Sequence, residues 1–340
     1  MSYRRAILLG VSFCFVLVML LALAFGYYAV TPKDREGQAR VFVVRHGASL
    51  KQVALELQEK GFINNRYLFM LWGKLLGYSK KIKSGEYRIS SAMPPVNILA
   101  VLAKGAIITH TVTIPEGYTM RQIAKLLDQK GIVPAQEFLR VCNDPKVVAS
   151  YGIKGKSLEG YLYPDSYQFS RGLSAKKVVD VMLHRFKEMV ASYMDRIKEK
   201  GMTLHEVVTL ASIVEKETGL SRERPLIASV FLNRLKRGMR LESDPTVIYG
   251  IKNFNGNLTR KDLVRRTPYN TYIIRGLPPG PIANPGIESI HAVLYPAESS
   301  YLYFVSKNDG SHYFSSSLTE HNRAVARFQK HRRSRAKKRP

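Results

Sequence analysis

Val44-Arg45-His46-Gly47-Ala48-Ser49-Leu50-Lys51-Gln52-Val53-Ala54 returns 70 residues later as Ile114-Pro115-Glu116-Gly117-Tyr118-Thr119-Met120-Arg121-Gln122-Ile123-Ala124. The match continues through Leu57 and Leu127, and through Lys60-Gly61 and Lys130-Gly131. Each copy reads as a strand, a Gly turn, a helix N-capped by Ser49 or Thr119, and a Gly stop. The first copy goes on to a second helix near 66–76 and a closing strand at Gly85-Glu86-Tyr87-Arg88-Ile89. In the second copy the second helix, near 135–148, is expected to lead onward instead of closing. A βααβ unit followed by strongly helical text makes the chain α+β.

Outward toward the N-terminus, residues 6–30 carry no charge. Twenty-five residues exceed the ~20 that cross a bilayer. Arg4 and Arg5 precede the segment, and Tyr27 and Tyr28 suit an interfacial belt. The competing reading is a cleaved signal peptide, because Ala22-Leu23-Ala24 fits a small-x-small cleavage site. An uncleaved transmembrane anchor is favoured because the apolar run continues through Phe25, Tyr27, Tyr28 and Val30. Flanking Lys/Arg counts are similar on the two sides. The short stub, residues 1–5, makes a cytoplasmic N-terminus and an exported remainder the simpler topology. That places the protein in the cell inner (cytoplasmic) membrane as a single-pass protein.

The chain has 340 residues, 53 Lys+Arg against 26 Asp+Glu, and a formal net charge of +27. The length holds about two domains with proper cores. The charge points to an anionic partner: nucleic acid, lipid headgroups or cell-wall polymer. No helix-turn-helix, RNP or phosphate-loop pattern accompanies it, so nucleic acid is not expected. The two cysteines, Cys14 and Cys142, fall inside and outside the apolar span and are not expected to pair. No Cys/His spacing fits a metal, and no cofactor is implied. Residues 326–340 are basic and almost without apolar side chains, and read as a disordered tail.

Toward the C-terminus, helices are expected near 174–199, 203–217 and 223–237. Thr203 and Glu206 form a Thr-x-x-Glu capping box. From there Val207, Leu210, Val214 and Glu217 share one face. A carboxyl on an oily face is desolvated, so its pKa rises and it can serve as a general acid near neutral pH. Glu215 stands about 200° round the helix, so both carboxyls cannot enter one site. Tyr161, Tyr163 and Tyr167 alternate with period two, as in a strand or extended loop, and could offer ring faces to sugars. Leu277-Pro278-Pro279-Gly280 forces a rigid extended loop.

Four blocks carry a resemblance. They are Glu159-Gly160-Tyr161-Leu162-Tyr163-Pro164-Asp165-Ser166-Tyr167, Ile213-Val214-Glu215-Lys216-Glu217-Thr218, Arg240-Leu241-Glu242-Ser243-Asp244-Pro245-Thr246-Val247-Ile248-Tyr249-Gly250, and Thr267-Pro268-Tyr269-Asn270-Thr271-Tyr272 with Gly276-Leu277-Pro278-Pro279-Gly280-Pro281-Ile282-Ala283-Asn284-Pro285-Gly286. In this order they resemble the endolytic murein transglycosylase (YceG-like) family, over roughly residues 40–325. The first repeat copy looks like a LysM-type βααβ module, which binds N-acetylglucosamine-containing glycans. The resemblance implies a LysM-like subdomain at 40–105 and a catalytic domain at 106–325 that includes the second copy at 110–150.

It also implies a lyase that cuts the MurNAc–GlcNAc bond of peptidoglycan to a 1,6-anhydroMurNAc end and terminates nascent strands, with peptidoglycan synthases as partners. A non-catalytic wall-binding scaffold is the alternative. Glu217 maps to the family's catalytic acid. Tyr161, Tyr163, Asp165, Asp244, Tyr249, Asn270 and Tyr272 are candidates for substrate contact. Glu242 stands where relatives often carry Gln, which could place a second carboxylate near the cleft.

Overall fold

The computed structural model describes residues 2–330 and is mixed α+β with one N-terminal apolar helix. It divides into two compact units. The first holds residues up to Thr111 together with Gln168–Ser174, and the second holds Val112–Tyr167 and the chain from Ala175 onward.

In the first unit, helix α1 (Ser2–Val30) contains the apolar stretch Ile7–Val30, long and apolar enough to cross a membrane. Strand β1 (Ala39–Val44), helices α2 (Leu50–Glu59) and α3 (Arg66–Leu75), and strand β2 (Gly85–Ser90) follow in βααβ order. Strands β1 and β2 pair antiparallel from Ala39↔Ser90 to Val44↔Gly85. Helix α4 (Pro95–Lys104) leads to β3 (Ile107–Ile108), which pairs with the other edge of β2. The core lies between sheet and helices: Phe42, Leu57, Phe62, Phe69, Tyr87, Ile98 and Leu99 are almost fully buried.

The second unit begins with the second repeat copy. Strand β4 (His110–Thr113) carries the boundary between the units, and helices α5 (Met120–Gln129) and α6 (Ala135–Cys142) follow it. The two copies agree bond for bond at their first helices. Ser49 and Thr119 each receive the backbone N–H of the Gln three residues on, and that Gln side chain accepts from the cap. At the far ends, Gly61 and Gly131 sit at φ +77° and +66°. Phe62 N–H bonds Leu57 C=O, and Ile132 N–H bonds Leu127 C=O. These are Schellman stops, which need the left-handed conformation that Gly adopts without a Cβ penalty.

The structure corrects the expectation that the second copy does not close. After α7 (Pro145–Ser150), strand β5 (Ser166–Phe169) pairs with β4. Thr113 meets Ser166, and Gln168 meets Thr111. The copy is therefore βααβ with α7 and the Glu159–Asp165 loop inserted. The helix expected near 135–148 is two helices, because Asp144 caps a fresh start with Pro145 in its first turn. The Tyr-rich stretch is strand only from Ser166; residues 161–165 are loop.

Helix α8 (Ala175–Val190) and α9 (Met194–Glu199) replace the single helix expected over 174–199, with a tight turn at Ala191–Tyr193 between them. Helix α10 (Leu204–Glu217) is central. Every residue from Val207 to Val214 is buried, Thr209 and Ser212 included. It is therefore a core helix enclosed on all sides, not a surface helix with one oily stripe. It packs on α11 (Arg224–Lys236), α12 (Asp244–Gly250) and, after α13 (Arg260–Leu263), on α14 (Ile287–Leu294). A hairpin of β6 (Tyr303–Ser306) and β7 (His312–Ser315) and helix α15 (Leu318–Val325) complete the unit. Of the basic tail, Ala326–Lys330 continue helically from α15. The rest of the tail read from sequence as disordered, residues 331–340, lies outside the described residues.

Candidate active site

Glu217 is the last residue of α10, and the chain turns extended at Thr218. The helix starts where the capping box puts it, with Thr203 and Glu206 satisfying each other's backbone groups. Its buried body carries Glu217 to the edge of the core, where the side chain is half-buried. Burial pushes its carboxyl up to about 7. The Asp244 charge adds to the rise, while a hydrogen bond from Ser243 and the Arg234 guanidinium oppose it. A carboxylate at a helix C-terminus also faces the negative end of the macrodipole, which disfavours the anion.

Ser243 Oγ donates to Glu217 Oε1 at 2.5 Å. Ser243 is the residue before α12, whose first turn carries Pro245. Thr271 fixes it in place: Ser243 N–H donates to Thr271 Oγ1 at 3.0 Å, and Glu242 N–H donates to Thr271 C=O at 3.2 Å. Next to it, Tyr272 Oη donates to the exposed Asp244 at 2.7 Å. Asn270 is fully buried and organises the loop itself. Its Nδ2 donates to the carbonyls of Leu263 and Arg265 at 3.0 and 2.8 Å, and its Oδ1 accepts from Tyr272 N–H at 2.9 Å. The block from Thr267 to Tyr272 thus divides its labour: Asn270 anchors, Thr271 holds Ser243, and Tyr272 meets Asp244.

Of the candidates read from sequence, Glu217, Asp244 and Tyr272 come together around Ser243. The others have different partners. Tyr161 and Tyr163 are 2 % and 6 % exposed, so neither offers a free ring face to a sugar, and that expectation is corrected. The Tyr161 hydroxyl meets His205 Nδ1 at 2.8 Å, at the start of α10. Twelve residues at ~1.5 Å rise put it ~18 Å of helix away from Glu217. The cavity of about 420 Å³ lined by Tyr161, Phe186, Met194 and His205 therefore belongs to the far end of α10, not to the Glu217 carboxyl. Asp165 pairs with Arg185 at 2.7 Å. Tyr249 Oη donates to Glu159 at 3.1 Å.

Glu215 points elsewhere, as its helical angle predicts. It is buried and accepts from Arg224 (3.2 Å), Gly286 N–H (3.1 Å) and Ser289 Oγ (2.7 Å). Glu242 adopts φ +52° and pairs with Arg234 at 3.1 Å. Its carboxylate is thus held by the guanidinium that also acts on Glu217.

Residues missed by sequence reasoning support this frame. Asn284, fully buried in the Pro-rich loop, donates to Tyr118 C=O (2.9 Å) and Glu159 (3.1 Å) and accepts from Leu162 N–H (2.9 Å). Glu159 also receives Met120 N–H at the start of α5. Burial pushes its carboxyl up to about 7 against those donors. Asn284, Glu159 and Ser243 all lie in the blocks that carry the resemblance, and Ser243 also has a local signal, since a Ser before Asp-Pro is a helix-start pattern. Among the described residues, no cluster of His, Cys, Asp and Glu could hold a metal ion.

The α+β frame thus presents a half-buried carboxyl, raised to about 7 by burial and held by one hydroxyl with Asp244 alongside, an arrangement suited to acid–base chemistry. Sequence comparison supplies the lineage. The profile of the YceG-like family matches residues 42–327, and the chain belongs to that family. It is 30 % identical to a Bacillus subtilis protein named endolytic murein transglycosylase, over 90 % of each chain. It is also 30 % identical to a protein of that name from Streptococcus pneumoniae, covering 93 % of this chain but only 64 % of the relative's length. A solved YceG-like protein from Listeria monocytogenes is 36 % identical, with a TM-score of 0.59 over 84 % of this chain and 98 % of its own.

Proposed function

We propose that this protein is a membrane-anchored lytic transglycosylase that cleaves the MurNAc–GlcNAc bond inside peptidoglycan strands and leaves a 1,6-anhydroMurNAc end. The observation that carries the reading is Glu217: a carboxyl raised to about 7 by burial, with one hydroxyl donor on it, in a chain of the YceG-like family. The names of the relatives support the substrate class.

Protonated Glu217 donates to the bridging oxygen as the C1–O bond breaks. The resulting carboxylate then takes the proton from the C6 hydroxyl of MurNAc, which attacks C1 and closes the anhydro ring. No water is consumed, and the acid is restored. One group serving as acid and then base works best with a pKa near the operating pH. Ser243 aims Oε1 and steadies the anion between the two steps. The exposed Asp244 and the half-buried Tyr272 beside it are the first candidates for sugar contact.

Helix α1 would hold the enzyme in the cytoplasmic membrane with the chain after it outside. The βααβ module of the first unit would bind glycan. Release of nascent strands near peptidoglycan synthases follows as the biological role. Incubation of the protein with isolated sacculi, followed by mass spectrometry of the muropeptides, tests the reading. Anhydro ends are expected; hydrated reducing ends would mean a hydrolase, and an unchanged sacculus would mean a wall-binding scaffold.

A further inference from the structure

Helix α3 leaves an apolar stripe uncovered. Tyr67, Leu71 and Leu75 recur every fourth residue on one face and are 66 %, 46 % and 64 % exposed, with Leu76 extending the stripe at 37 %. Residues four apart share a helical face. The helix contains Arg66 and Lys74 and no acidic residue.

This face adjoins the end of the apolar span. The Trp72 and Phe25 rings stack at 4.6 Å, and Trp72 Nε1–H donates to Phe25 C=O at 3.1 Å. Tyr28 Oη donates to Asn65 C=O at 2.6 Å. Asn65, at the start of α3, is therefore tied to Tyr28, and Trp72, near its end, is tied three residues earlier on α1. Three residues of α1 are ~4.5 Å of rise, so α3 slopes toward the span's interior along its length. A hydrocarbon core of ~30 Å uses ~20 residues, which from Ile7 reaches Gly26 and sets Phe25 at the core's edge.

We propose that α3 is an interfacial helix: its Tyr67–Leu71–Leu75–Leu76 stripe beds into the headgroup and upper acyl region of the membrane that α1 crosses, with Leu75 and Leu76 deepest. The occupant is the lipid surface, for two reasons. The stripe is continuous with the lipid-facing helix through Phe25 and Trp72, and its cationic flanks, Arg66 and Lys74, suit anionic headgroups. Trp and Tyr at the rim match the preference of these rings for that depth. The first unit is then held against the membrane along a helix as well as by the anchor. The inference rests on α1 being a membrane span, so the test reports the span and the stripe separately.

Full-length protein is reconstituted into vesicles of phosphatidylglycerol and phosphatidylethanolamine, with or without acyl-brominated lipid. Flotation after alkaline carbonate washing reports the span. Trp72 is the only tryptophan, so Trp72→Phe combined in turn with Leu75→Trp, Leu71→Trp or Tyr67→Trp places one probe at each depth. The expected result is loss of most emission in brominated vesicles, greatest at 75 and least at 67, with little quenching by aqueous iodide. A second readout leaves Trp72 intact: Leu71→Cys in a Cys14→Ser background, labelled with an environment-sensitive fluorophore while Cys142 stays buried, should shift its emission to the blue on reconstitution. Protein that floats but whose probes answer only to iodide overturns the proposal. So do probes shielded from both quenchers, which would mean a second copy or another protein covers the stripe. Protein that washes off with carbonate overturns the span and the stripe together.

Discussion

Glu217 and Glu215 stand two residues apart and have opposite chemistry because of what surrounds them. Glu215 is compensated by a guanidinium, a backbone N–H and a hydroxyl, whereas Glu217 has one hydroxyl and a desolvating wall. Glu217→Gln keeps the shape and removes the proton, so formation of anhydro ends should fall by about 10²–10⁴-fold, the usual worth of a general acid. The same variant should be more stable than the parent at high pH.

The sign follows from the raised pKa. An unfolded Glu ionises near its ordinary 4.5, and folding opposes the anion up to about 7. The penalty is therefore absent below about 4.5, grows between the two values, and is complete above about 7. For a partly exposed group the gain at pH 8 should be about 1–3 kcal/mol, read as a higher Tm at pH 8 and parity at pH 4. A gain that is largest in acid would contradict the shift. Glu215→Gln should do the reverse: it should lose about 1–3 kcal/mol of stability through weakened partners and keep the turnover of its folded fraction. Ser243→Ala removes the donor that favours the anion, so the alkaline limb of the pH–rate profile should move to higher pH. A limb that stays in place or moves down would show that Ser243 does not bond the ionised form.

At the scale of elements, sequence patterns that close within a few residues are legible. The helix caps at Ser49, Thr119 and Thr203 and the Gly stops depend on neighbouring backbone groups, and the structure forms them. What escaped depends on distant partners. Strand β5 exists because β4 lies beside it, and α10 is buried all round because α11, α12 and α14 enclose it. The role of Gly160 was also invisible. It sits at φ +89°, and a Cβ there would lie 2.4 Å from Pro281 Cγ, on a ring that cannot rotate away. Gly160→Ala should therefore cost about 2–5 kcal/mol, backbone strain and overpacking together. Urea denaturation checks it, and an unchanged midpoint would mean that the Pro-rich loop moves freely.

For the whole molecule the decisive question is whether residues 6–30 remain attached. Nothing in α1 competes with a bilayer for its side chains from Ile7 to Leu23, which are exposed throughout. An intact mass of membrane-extracted protein should include the segment, and a mature chain beginning at Phe25 would refute the anchor.

Sequence alone determined the repeat, the α+β class, the apolar span and the carboxyl to examine, because caps, helical spacing and motif order are local or are carried by the family resemblance. It could not tell which candidates gather round that carboxyl. Asn270, Thr271 and Tyr272 are consecutive, yet one anchors a loop, one holds Ser243 and one meets Asp244. Tyr161 lies in a block of the resemblance and ends up at the opposite end of α10. Only the tertiary structure decided those assignments, because desolvation and hydrogen-bond geometry are set by groups brought together from segments far apart in the chain.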